Sequence, residues 1–188
     1  MSQGPRKVTL TVHIACSVGW LGAIAAYITL NIPALTSGND QTIRAAYLMM
    51  LPVAWYAIVP LAIATLLTGI VLALGTPWGL FRHYWVVFSL VITVVAVAIL
   101  LGHMADVDTM ARLAGDPNAD VRRLPGDLFH SVGGLLVLLA PLVLNIYKPR
   151  GLTRYGRRKQ RTPSLSPANS KAADPDRSTP RVAAQHRT

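Results

Sequence analysis

The sequence predicts an all-α membrane protein: a bundle of four transmembrane helices followed by a disordered, basic C-terminal tail. Three observations carry this. Hydrophobic residues make up 52% of the 188-residue chain and charged residues 14%, where a soluble domain would carry about a quarter charged. Four stretches reach the length of about 20 apolar residues that a bilayer core requires. The formal charge of +10 is concentrated at one end: residues 148–188 hold eleven Lys and Arg against two Asp, while residues 1–147 are nearly neutral.

The first span runs over about residues 8–30 and is broken off by Asn31 and Pro33. The second, 45–75, is too long for an upright helix and contains Pro52 and Pro60, which predicts tilt, a kink or an interfacial first turn. The third, 83–103, has only Ser89 and Thr93 as polar interior groups. The fourth, 129–147, is the shortest. Between the second and third, Gly75-Thr76-Pro77-Trp78-Gly79 reads as a tight turn. Residues 104–128, with five Asp and three Arg, read as a longer loop with a short amphipathic turn at Met110 to Leu113. Residues 1–7 form an N-terminal cytoplasmic segment, 148–161 a basic juxtamembrane segment, and 162–188 a disordered tail rich in Ser, Pro and Ala. Arg6-Lys7 ahead of an apolar run is also compatible with a signal peptide, whose removal would leave three helices.

Lys and Arg in short loops set orientation. The basic termini and Arg82 predict a multi-pass protein of the cell membrane with both termini cytoplasmic. The expected partners are the lipid bilayer itself, anionic lipids at Lys148 to Arg161, and a further membrane protein or a second copy of the chain. Nucleic acid is not expected, because Tyr155 is the tail's only aromatic residue. The single cysteine, Cys16, excludes a disulfide framework.

Chemistry is sparse. No acidic residue falls within the four spans, no nucleotide-binding glycine motif is present, and no catalytic constellation is readable. On the first helix, His13, Ser17, Trp20, Ile24 and Tyr27 recur at spacings of four and three and share one face. A stripe of this kind faces the bundle, since lipid offers it no partner. His13, His103 and His130 are the candidate cofactor ligands, with haem b or copper as the candidate cofactor. His103 closes the third span and His130 opens the fourth, so antiparallel packing brings them to one depth. Met49 and Met50 near the start of the second span and Met104 beside His103 offer thioethers, which with His103 and His130 make a ligand set suited to copper(I).

Several word-like stretches stand out. His13-Ile-Ala-Cys-Ser-Val-Gly-Trp-Leu-Gly22, Leu66-Leu-Thr-Gly69, Leu74-Gly-Thr-Pro-Trp-Gly-Leu-Phe-Arg-His-Tyr-Trp85 and the run from Tyr147 to Gln160 resemble a bacterial family of predicted four-helix integral membrane proteins, a domain of unknown function. The resemblance covers residues 8 to 160 and implies membrane location without an assigned activity. More loosely, His13, Trp20 and Gly22 are similar to a short pattern of CopD-like and HemJ-like membrane proteins, which implies copper or haem chemistry. Ser89 stands where such relatives often carry Lys. The functional expectation is a structural or partner-binding membrane subunit. The alternatives are a haem- or copper-binding protein with a part in electron transfer, and a small transporter.

Overall fold

The computed structural model describes residues 3–75, 83–147 and 153. The tight turn over 76–82, the basic juxtamembrane segment and the tail expected to be disordered lie outside these residues, apart from Thr153. The described chain is helical: α1 (Gln3–Thr36), α2 (Asp40–Val53), a π-helical turn (Ala54–Ile58), α3 (Val59–Gly75), α4 (Tyr84–Gly115), a short 3-10 turn (Val121–Arg123) and α5 (Leu128–Tyr147). The α2–π–α3 run is one rod, so four helices are long and apolar enough to cross a membrane. Each packs on its sequence neighbours and α1 also meets α5, which closes a four-cornered, up-and-down bundle.

The second rod bears its prolines differently from a simple kink. Pro60 has no N–H, and its ring would press on the Tyr56 carbonyl in a regular helix. The backbone widens just before it, and the Val59 N–H donates to the Ala54 carbonyl, one residue further back than an α-helix allows. Pro33 does not stop α1 either. The helix continues through it, and the last turn is held by Ser37 N–H on the Pro33 carbonyl at 3.1 Å and the Thr36 hydroxyl on the Ile32 carbonyl at 2.8 Å.

The largest departure from expectation is at the far end of α4. His103 does not end the helix, and residues 104–115 are not loop: α4 runs on to Gly115. At about 1.5 Å per residue, Tyr84 to His103 covers a hydrocarbon core of about 30 Å, so the extension stands beyond it. Its buried residues Met104, Val107, Ala111 and Ala114 repeat at three and four, and Met104, Val107 and Ala114 share one core with Ile43, Ala46, Tyr47 and Met50 of α2. Asp106, Asp108 and Arg112 lie outside that stripe, so their charge remains in water or at the membrane boundary.

This distal end, the one away from residues 3 and 147, is closed by arginines. Arg44 donates to the carbonyls of Ala114 (3.0 Å), Asp116, Pro117 (3.2 Å) and Ala119 (2.7 Å). It thereby caps the C-terminus of α4, where carbonyls lack helical partners and a cation is favoured. Arg122 pairs with Asp40 at 2.7 Å and also meets the Gly38 carbonyl. Asn39 caps α2 through the Gln41 N–H at 2.8 Å. Arg44→Ala is expected to cost about 1–3 kcal/mol, because part-buried carbonyls lose a charged donor. A fall in the thermal midpoint of the detergent-solubilised protein checks this. Arg44→Lys should recover little of the loss, since an ammonium cannot spread over four acceptors as the planar fork does.

Candidate metal centre

The sequence-level stripe on α1 extends one step further than Tyr27. Asn31, four residues on, is fully buried. Its side-chain amide donates to the Tyr27 carbonyl at 3.2 Å, and its Oδ1 accepts the Asp127 backbone N–H at 3.1 Å. Asn31 therefore fixes the residue that opens α5. The Asp127 carbonyl in turn takes the Ser131 N–H (3.1 Å) and hydroxyl (2.7 Å), which starts the helix.

Asp127 is 5% exposed. A buried carboxylate needs a charged or hydrogen-bonding partner, and it has one: Oδ1 lies 2.7 Å from His103 Nε2. The other His103 nitrogen, Nδ1, lies 3.1 Å from Asp106 Oδ2, one turn along α4. The ring of His130 stacks on that of His103, with centroids 4.1 Å apart and planes within 10°. His103, Asp127 and His130 each bring a ligand atom within 4.8 Å of the others. His103 is half-buried, Asp127 buried and His130 exposed, so the group opens outward from the bundle. The Tyr27 hydroxyl lies buried nearby and interacts with the Asp127 carboxylate.

Two imidazole nitrogens and one carboxylate oxygen form a donor set for a divalent transition ion. Ligand bonds near 2.0–2.2 Å place such atoms about 3–3.5 Å apart. The His103–Asp127 pair needs to open only slightly, and the exposed His130 can swing to close the rest. Asp106 would then hold the outer nitrogen of His103, as carboxylates commonly do behind metal-bound histidines. In this stacked arrangement the two rings do not stand on opposite sides of a common centre, as the axial ligands of a haem do.

Neither His13 nor Cys16 joins this group. Met50 and Met104 are buried in the apolar core, and Met49 is exposed on the bundle surface. His13 is at the other end of α1, where its Nδ1 lies 2.9 Å from the Thr68 hydroxyl. That hydroxyl donates to the Ala64 carbonyl at 2.6 Å, and the His13 ring also bonds to the Thr65 backbone. Gly69 lies flush against the ring: an added Cβ would stand 3.1 Å from His13 Cε1. Cys16 is half-buried and unbridged.

Sequence reasoning missed Asp127, Asp106 and Asn31. A signal existed. His103 and Asp106 are three residues apart, and so are Asp127 and His130, so each helix end offers one imidazole and one carboxylate.

No curated protein and no solved structure matches the chain. The shorter likeness to CopD-like and HemJ-like proteins therefore remains confined to His13, Trp20 and Gly22. A match over residues 7–146, nearly the whole helical bundle, shows that the chain belongs to the family described as predicted integral membrane protein (DUF2269), which sits in the lipid bilayer and has no assigned function.

Proposed function

We propose that this membrane protein binds a divalent transition-metal ion, of the zinc(II) or iron(II) kind, through His103, Asp127 and His130. The observation that carries the reading is the carboxylate: a buried Asp127 held 2.7 Å from His103 Nε2, with the second imidazole stacked alongside. The hard oxygen donor favours these ions over copper(I), for which thioethers are the better partners. The same triad also pins α4 to α5, and a subunit whose role is purely structural would need nothing more. Metal titration of the detergent-purified full chain separates the two. One ion per chain, with binding lost in the His103→Ala, His130→Ala double variant, is the expected result. An apparent affinity unchanged in that variant would place the ion elsewhere.

The distal end carrying this group faces the outside of the cell membrane, with both termini cytoplasmic. Arg6, Lys7, Arg82 and the tail's cations support this, because positive loops are retained inside. Reporter fusions after Gly38, Thr76, Asp116 and Arg150 are expected to alternate out, in, out, in. An inward signal at Asp116 would reverse the assignment. The seven cations between Lys148 and Arg161 then meet the anionic inner leaflet, each gaining about 1 kcal/mol near the surface.

A further inference from the structure

Resting on the metal-site reading above, we infer that the bound ion keeps an open coordination position on the outward side, and that a small anion from the aqueous phase, hydroxide or an oxyanion, fills it. Three arguments support this. First, the chain assembles three ligand residues here, not four. Among the described His, Cys, Asp and Glu, the group is His103, Asp127 and His130 alone, and three protein ligands plus an exchangeable one is the pattern of reactive sites, not structural ones. Second, the bundle does not need the ion to hold itself together. Trp20, Tyr27, Tyr47, Met50, Met104 and Val107 share one apolar core, and α1 and α5 are already tied by Asn31.

The third argument is electrostatic. Asp127 occupies the position just before α5, where an aspartate ordinarily turns its carboxylate onto the next backbone amides. Here its Oδ1 goes to His103 instead. Among the described residues no side chain accepts from the Phe129 or His130 N–H. The first turn of a 20-residue helix thus keeps uncapped amides beside the triad, and their partial positive charge adds to that of the ion. His130, on that same turn, is exposed, so the site is open to solvent on the side where those amides lie. A negative fourth ligand answers both charges. The ion would act there as a Lewis acid, lowering the proton affinity of a bound water or polarising a bound oxyanion.

Cobalt(II) is the probe, because its visible bands report coordination number and ligand exchange. The full chain, purified in detergent and loaded with one cobalt(II), is titrated with azide and, separately, with acetate. A saturable change in the visible bands with either anion is the expected result. Stoichiometric cobalt whose spectrum neither anion moves would mean a closed coordination shell, and would overturn this inference while leaving the metal site standing. Failure to bind cobalt at one per chain would remove the metal site and this inference together.

Discussion

Asp127→Asn is expected to weaken metal binding by more than about 100-fold while leaving the bundle folded. The argument turns on what the amide keeps and what it loses. Asn Oδ1 can still accept a hydrogen bond from His103 Nε2, which now stands 2.7 Å from the carboxylate, so the α4–α5 contact survives in the metal-free protein. The negative charge is lost, and an amide oxygen is a poor ligand for zinc or iron. Outer-shell losses alone typically cost 10–100-fold, and this is a loss from the first shell. Asp127→Ala is the contrasting variant. It also removes the acceptor, so a part-buried imidazole is left without its partner, and stability should fall by about 1–3 kcal/mol. Calorimetric titration reads the affinity and thermal unfolding of the metal-free protein reads the stability. If Asn and Ala variants lose stability equally and binding is unaffected in both, the triad is an α4–α5 staple only. Asp106→Asn belongs to the same series: it touches only the outer nitrogen of His103, so its expected effect on affinity is about 10–100-fold, within the outer-shell range.

How much of this was legible beforehand depends on the physics each feature rests on. The four spans are legible because lipid forbids charge, and an uncharged run of adequate length has few other uses. The extension of α4 was hidden by the same criterion. Asp106, Asp108 and Arg112 made residues 104–115 read as loop, although Met104, Val107, Ala111 and Ala114 keep the helical period. Once a helix leaves the hydrocarbon, composition stops reporting it and periodicity has to be read instead. Pro33 misled in the opposite sense. Proline at that point removes a single hydrogen bond near a helix end, which an end can spare. His103 and His130 could be placed at a common depth from antiparallel packing, but whether the rings face one another depends on helix rotation, which a sequence does not display. In the sequence Asp127 reads as one of five acids in a loop. Its burial follows from tertiary contacts with Asn31 and His103, 96 and 24 residues away, and nothing local announces it.

Asn31→Leu should be the most damaging single change outside the triad. Asn31 is fully buried at the meeting of α1 and α5 and serves both directions: its amide donates to the Tyr27 carbonyl and its Oδ1 accepts from the Asp127 N–H. Leucine keeps the branched outline but is bulkier, so some overpacking adds to the cost. The buried Asp127 N–H is also left with nowhere to donate, at a cost of about 1–3 kcal/mol. The start of α5 then loses its tie to α1, and with it the fixed position of Asp127 and His130. Affinity for the ion should therefore fall along with the thermal midpoint, although Asn31 touches none of the three proposed ligands' side chains. Asn31→Asp separates the two consequences. It preserves an acceptor for the Asp127 N–H but sets a second carboxylate near Asp127, so the metal-free protein should suffer from the like charges and recover in part when a divalent cation binds. The measurement is the rise in thermal midpoint on adding zinc(II), compared among wild type, Asn31→Leu and Asn31→Asp. A larger rise for Asn31→Asp than for wild type is the expected signature. An equal or smaller rise in Asn31→Asp would show that residue 31 does not sense charge at the triad, and its role would then be confined to joining α1 with α5.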